Sequence, residues 1–345
     1  MASPTRPACT RHRGPGEYEA MVAGTRRGME LGHEQRAGSA CVFAPTPRLT
    51  VTIEGRGETP DVHVHAGGQG PWIANMLAVL GSEVSLCAPL GGETGLVLAD
   101  LLGRHRVQLH RVPIAGSNGC YVEDRRSGEP SCIVDMPPGD LGRHEMDDLF
   151  NKALALGLDS DVFVLTGLGS SGVITPDIYR RIAADLSGMG VCVVADLTGE
   201  ELSAALEGGL SVLKVSHDDL VEDGRAKSED LDDLVAAVED LAENVSTMVM
   251  LTRAGEPTLV RVDGEYLQVR APALQLVDHR GAGDSMTAGV AAALARGLDV
   301  EHALRLGAAC GAANVTRHGL ASGQRDTIEQ IARHVEVRGL GRRPA

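Results

Sequence analysis

From residue 40 onward the chain alternates short apolar runs with stretches of helical period. The runs at 40–44, 159–166, 191–196, 210–215 and 248–252 are strand-length and mainly apolar, as expected of strands covered on both faces of a sheet. Between them the apolar spacing predicts helices over 176–186, 200–207, 228–243 and 285–296, the first opened by Thr175 as N-cap and Pro176 at the first helical position. This strand–helix alternation predicts an α/β fold, a mostly parallel central sheet flanked by helices on both faces. Two regions break the rhythm. Residues 49–65 and 107–135 alternate apolar and polar positions around Gly-rich turns, so both read as half-exposed antiparallel hairpins forming a small β-sheet lid. One domain is expected over 40–325, followed by a C-terminal helix and tail at 326–345. Residues 1–38, rich in Arg, Gly and Pro without apolar periodicity, read as a disordered leader.

Composition narrows the function classes. The net charge is −15, no sustained basic run interrupts it, and the aromatics are 3 Phe, 4 Tyr and 1 Trp. A chain so acidic and so poor in stacking side chains is not built for nucleic acid. Its 7 cysteines are scattered without a Cys-x-x-Cys pair, against a disulfide framework or a structural zinc site. With no membrane-length apolar run and no signal-peptide pattern, a cytoplasmic setting and no membrane partner are expected.

The chemistry concentrates in Arg280-Gly281-Ala282-Gly283-Asp284-Ser285, which runs into an alanine-rich helix. Small residues at a helix N-terminus let backbone amides approach phosphate oxygens. A carboxylate placed there suggests phosphoryl transfer, with the 281–283 amides as anion hole and Asp284 as base. A plain strand-to-helix turn with Asp284 as N-cap explains the same residues. No lysine follows a glycine among Lys152, Lys214 and Lys227, which excludes a P-loop. Gly167, Gly169 and Gly172 with Asp196 one strand later imitate a dinucleotide fingerprint, but the predicted helix starts too far beyond Gly172. A second glycine cluster, Gly67-Gly68-Gln69-Gly70, opens another helix near residue 74. Asp61, His63 and His65 share one strand face, which suits metal ligands and equally suits ordinary lid alternation.

Together these residues resemble the PfkB (ribokinase-like) family of carbohydrate kinases over roughly residues 40–325, nearest its 1-phosphofructokinase and tagatose-6-phosphate kinase branch. Gly-Gly-x-Gly at 67–70 is similar to the family's first signature, and 280–285 to its second. The segments 165–173 and 196–206 and Leu213-Lys214 are also similar to that branch. The resemblance implies ATP along the carboxyl edge of the sheet, Mg²⁺ held mainly through the nucleotide phosphates, and a sugar or sugar phosphate under the lid. It implies Asp284 as general base, with Gly281, Ala282 and Gly283 as anion hole. Lys214 falls on the family's Lys-Pro-Asn lysine, while Ser216 and Asp219 fall on its Asn-x-x-Glu motif. Thr252, Arg253 and Gly255 border the nucleotide, and Asn314 flanks the adenine.

The departures lie mostly on the acceptor side, among Arg48, Gly67, Gly68, Gln69, Trp72, Asn118 and Arg280. Arg48 stands where the family carries an Asp that grips sugar hydroxyls, Gln69 where it carries Lys, Trp72 where it carries Asn, and Asn118 where it carries a lid Arg. Arg48 and Arg280 are cations that offset the loss at Gln69, or surface ion-pair partners. The resemblance also implies a homodimer through the lid. A catalytically weak or inactive sugar-phosphate or nucleotide sensor on the same scaffold is the second reading, motivated by the altered acceptor pocket and the softened Asn-x-x-Glu motif.

Overall fold

The computed structural model of the chain describes residues 37–56, 59–104, 106–128, 130–167, 173–274, 280–314 and 324–342. All but the end of the expected leader, and the glycine run beyond Gly167, lie outside the described residues. The strands are β1 (Ser39–Phe43), β2 (Arg48–Arg56), β3 (Thr59–Gly67), β4 (Glu83–Leu90), β5 (Gln108–Pro113), β6 (Gly119–Asp124), β7 (Ser131–Met136), β8 (Val162–Thr166), β9 (Cys192–Asp196), β10 (Leu210–Ser216), β11 (Val245–Arg253), β12 (Glu256–Val262), β13 (Glu265–Arg270) and β14 (Glu336–Gly341). The helices, renumbered along the described chain, are α1 (Gln69–Val79), α2 (Gly92–Gly103), α3 (Arg143–Leu158), α4 (Asp177–Gly188), α5 (Gly199–Gly208), α6 (His217–Glu222), α7 (Leu231–Ala242), α8 (Ala282–Ala295), α9 (Val300–Asn314) and α10 (Arg325–Ala332).

Ten strands form the main sheet in the order β14-β13-β12-β11-β10-β9-β8-β1-β4-β5. It is parallel from β11 to β5 and antiparallel from β11 to β14. Because successive side chains point to opposite faces, neighbours on one strand feed two separate cores. Val42 and Val164 join α1, α8 and α9 on one side. Phe43 and Phe163 join α3, α4, α5 and α7 on the other. The second sheet, β3-β2-β6-β7, is the lid.

One expectation is corrected. Residues 107–135 do not form one lid hairpin, because β5 pairs in parallel with β4, Leu86 opposite Leu109, at the edge of the main sheet. The fully buried Val112 packs into the Phe43 core, and α2 supplies the crossover that a parallel pair requires. Only β6 and β7 go to the lid. The C-terminal segment is helical over α10 and then adds β14 as an edge strand beside β13. The β12–β13 hairpin was not flagged by the apolar pattern.

Two devices position the site. Buried Asn118 donates from Nδ2 to the carbonyls of Pro47 (3.2 Å) and Pro89 (3.0 Å) and accepts from Gly91 N (3.0 Å), pinning the base of the lid to the end of β4. Helices α8 and α9 pack backbone to backbone, since a Cβ on Gly289 would lie 2.7 Å from Gly307 Cα. Gly289→Val should therefore destabilise the protein by about 1–3 kcal/mol. Gly103→Ala, where an added Cβ meets nothing within 4 Å, should be neutral or gain up to about 1 kcal/mol. Urea unfolding in which the two variants share one midpoint would contradict this packing.

Candidate active site

The carboxyl ends of β1, β8, β9 and β10 converge beneath the lid. The chain order reverses between β1 and β8, and such a switch point opens a crevice at the strand ends. A cavity of about 480 Å³ lies there, and its walls include Gly68 and Gln69 at the start of α1, Gly167 after β8, Asp196 ending β9, Lys214 on β10, and Asp284. Gly68 has a φ of 99° and its amide plane turns close under Thr46, a conformation that glycine adopts without penalty.

Asp284 sits in the first turn of α8 behind Gly281, whose φ of 73° is left-handed. Asp284 is therefore not the N-cap; Gly281 is, and Ser285 N donates to its carbonyl at 2.9 Å. Burial and then the Asp196 charge push the Asp284 carboxyl up to about 7, opposed by Lys214 and by a hydrogen bond from the Gln69 side chain. Gln69 Oε1 accepts from Gly167 N at 2.7 Å. So Gln69, which the sequence places among acceptor ligands, braces the base against the end of β8.

Behind the base lies a buried ion pair. Lys214 Nζ donates to Asp196 Oδ1 at 3.2 Å, and Thr287 Oγ1 donates to Asp196 Oδ2 at 2.8 Å. Burial alone would lower the Lys214 pKa, but the carboxylates of Asp196, Asp284 and Asp219 outweigh it and the net shift is upward. The ammonium stays charged. With both oxygens committed, Asp196 is not the ribose ligand of a dinucleotide site.

Lys214 also lines a second cavity, of about 740 Å³, on the other side of the α8 N-terminus, together with Ser216, Thr252, Arg253, Gly255 and Gly283. A Cβ on Gly283 would lie 2.8 Å from Lys214 Nζ, so this cradle excludes any side chain between the amides and the ammonium. Ser216 and Asp219 cap α6 reciprocally, Ser216 N donating to Asp219 Oδ2 at 2.9 Å and Asp219 N to Ser216 Oγ at 3.1 Å. The Arg253 guanidinium donates to the Pro257 carbonyl at 2.8 Å, which keeps it on the rim.

The other expected residues are scattered. Arg48 and Trp72 line the first cavity, whereas Gly67 packs against Thr50, its missing Cβ leaving room for that side chain. Asn118 is spent on backbone, as above. Arg280 Nη1 pairs at 3.0 Å with Glu123 of β6, a carboxylate 2% exposed that also binds Arg125 at 2.6 Å. This buried latch joins the lid to the loop that opens α8. Asn314 donates to the Arg280 carbonyl at 2.6 Å and braces that loop from behind instead of lining the second cavity. Asp61, His63 and His65 form no ligand set: His63 pairs with Asp61 at 3.2 Å and stacks on His65. Among the described residues His217, Asp218 and Glu229 approach closely enough to be a metal group, and the two carboxylates are exposed.

Sequence reasoning overlooked Asp196, Thr287, Glu123 and Asp135 as site residues. Asp196 was legible as a carboxylate ending a buried strand. The other three depend on register and helix packing, which leave no local trace.

A family model for the pfkB family carbohydrate kinases matches residues 44–327, and the chain belongs to that family. The 1-phosphofructokinase of Vibrio cholerae serotype O1 is 24% identical over 277 residues, covering 80% of this chain and 87% of that protein. The ATP-dependent 6-phosphofructokinase isozyme 2 of Escherichia coli is 27% identical over 269 residues, covering 77% and 86%. Among solved structures, a possible 1-phosphofructokinase from Thermotoga maritima superposes with a TM-score of 0.77 at 18% identity, covering 87% of this chain and 99% of that one. Phosphofructokinase-2 from Escherichia coli in complex with fructose-6-phosphate gives 0.73 at 22%, covering 86% and 99%. At those identities the likeness establishes a shared ribokinase-like fold. The protein is a carbohydrate kinase in class.

The raised Asp284 pKa makes a stability prediction. The folded protein holds this proton up to about 7, whereas the unfolded chain releases it near the ordinary carboxylate value, about 4. Between those values the folded state binds more protons, so stability falls as pH rises and the loss is complete above about 7. Asp284→Asn removes this dependence. Its unfolding midpoint should gain on wild type from pH 5 to 7 and then run parallel; a gap that does not change with pH would contradict the buried base.

Proposed function

We propose that the protein transfers the γ-phosphoryl group of ATP to a hydroxyl of a sugar or sugar phosphate. One observation carries this reading: a proton-holding carboxyl, Asp284, faces the cavity under the lid, while the amides beginning the same helix face the neighbouring cavity, with Lys214 lining both. The names of the relatives, 1-phosphofructokinase and tagatose-6-phosphate kinase, agree with it.

In this reading the acceptor hydroxyl lies in the first cavity and its proton passes to an Asp284 oxygen as the new O–P bond forms. The bond to the departing diphosphate oxygen breaks, and the amides of Gly281, Ala282 and Gly283 stabilise the transferring oxygens. Each such donor contributes about 2.7–4 kcal/mol. Lys214 offsets negative charge where the cavities meet. The nucleotide extends past Ser216 toward Thr252, Arg253 and Gly255. Both Asp196 oxygens and Asp219 Oδ2 are already engaged within the protein, so Mg²⁺ would be held mainly through the nucleotide phosphates. When bound on the nucleotide phosphates, Mg²⁺ neutralises their charge.

The sensor reading draws on Ser216 and Asp219, whose mutual cap occupies groups the family motif directs at metal and phosphate. A sensor has no use for a carboxyl tuned to neutral pH, and the kinase reading accounts for it. ATP consumption with Mg²⁺ across sugars, sugar phosphates and nucleosides tests the assignment, and silence across the panel would sink it. Asp284→Asn should lower kcat at least about 10²-fold with ATP affinity nearly unchanged. For wild type, kcat/KM should rise with pH and level off above about 7, since the base acts deprotonated.

The lid supports a homodimer. Val64, Val51, Val122 and Val134 are aligned in register across all its strands, and Val62, Val64, Ile133 and Val134 are exposed. Apolar rows of this kind mark association surfaces. Light scattering should show a dimer that Val64→Lys converts to monomer; a wild-type monomer would refute the lid interface.

A further inference from the structure

The acceptor cavity is poor in unspent positive charge. Its described lining carries four carboxylates, Asp135, Asp196, Asp219 and Asp284, against Arg48 and Lys214. Lys214 is committed to Asp196, and Arg280 is held outside the lining by the buried Glu123. Arg48 therefore stands as the cation facing the lid side. It is not isolated: its guanidinium lies 4.8 Å over the Tyr121 ring and 3.9 Å from Asp135 Oδ1. Strand register sets this couple, because Tyr121 is paired with Asp135 across β6 and β7 while Arg48 sits opposite Gly119.

A phosphate monoester carries about −1.5 to −2 charges at neutral pH. Entering here, it would meet a guanidinium that already faces Asp135, an ammonium committed to Asp196, and the further carboxylate of Asp219. An uncharged polyol meets a matched surface. The Asp135 side chain accepts hydrogen bonds from hydroxyls, Arg48 donates to their oxygens, and the half-buried Trp72 offers an aromatic, largely apolar surface to a sugar's C–H face. Asp135 thus supplies from the lid a hydroxyl-gripping carboxylate of the kind that Arg48 displaces from the start of β2.

We propose that Arg48, Trp72 and Asp135 select an uncharged polyhydroxy acceptor, a free sugar or sugar alcohol, over its phosphate ester. This rests on the kinase reading above and names the acceptor class for it.

Matched pairs test the proposal: fructose against fructose 6-phosphate, and tagatose against tagatose 6-phosphate, each with Mg-ATP and the full chain. The free sugar should have at least tenfold higher kcat/KM in a pair that is turned over. Asp135→Asn, at an exposed lid position that folding does not depend on, should raise the KM for that sugar at least tenfold with the KM for ATP unchanged. Asp135→Arg should shift preference toward the ester at least tenfold. Preference of the wild type for the phosphate ester, or a KM within twofold of wild type in Asp135→Asn, would overturn the proposal and leave the kinase reading intact. The single tryptophan, Trp72, separates the two failures. Its emission should change with free sugar at concentrations where the ester has no effect. That response without ATP consumption would overturn the kinase reading alone, whereas a stronger response to the ester would overturn the acceptor class alone.

Discussion

The site depends on a lysine that is kept charged where burial opposes it. Lys214 retains its proton because Asp196 lies 3.2 Å away and Asp284 and Asp219 face it. Lys214 and Thr287 in turn occupy the two oxygens of Asp196. Breaking one member of such a buried pair costs about 3–5 kcal/mol, since the survivor is left uncompensated. Burial and the pair together set the Asp284 carboxyl. Burial and then Asp196 raise it, Lys214 opposes them, and it ends near neutrality, where a proton acceptor is most effective.

The same constraint orders the surrounding elements. Asp196 ends β9 directly opposite Lys214 on the adjacent parallel strand β10, so their spacing is that of the sheet and does not rely on loop conformation. Thr287 comes from the first turns of α8, whose position follows from the close approach of Gly289 to Gly307 on α9. Gln69 reaches Asp284 from α1 while holding Gly167 N, so the base is tied to β8 as well. The lid is attached at two points, by Asn118 at its root and by Glu123 to Arg280 at the catalytic loop. The lid surface over the cavity is therefore already coupled to the loop that carries Asp284.

Much of the fold was legible along the chain. Strands buried on both faces, such as β8 and β9, read as continuous apolar runs because every position is covered. The lid hairpin β2–β3 read as alternation because its polar and apolar side chains take opposite faces, with Thr50 and Thr52 buried and Val62 and Val64 exposed. The reading failed at β5, where half-exposed residues on a sheet edge look the same as lid residues. It also passed over β12–β13, an antiparallel extension of the main sheet outside the strand–helix rhythm. At the site, glycines and the carboxylate of the loop were legible because backbone approach to phosphate restricts residue type locally. Arg280, Asn314 and Asn118 were assigned to ligands because they stand at motif positions, yet their side chains are held by Glu123, the Arg280 carbonyl and the loop carbonyls of Pro47 and Pro89.

The sequence by itself determined the layered α/β architecture and the small, acidic turn at 281–284, since periodicity and glycine placement are local and steric. It also determined that the acceptor side departs from the family pattern at Arg48, Gln69 and Trp72. Tertiary structure alone decided what those departures mean. Gln69 became a brace for Asp284, Arg48 became half of a couple with Asp135, and Asp284 acquired its raised pKa from burial and then from Asp196, a residue far away in the chain. Charge and hydrogen bonding act through space over a few ångströms, and only strand register and helix packing bring such residues that close.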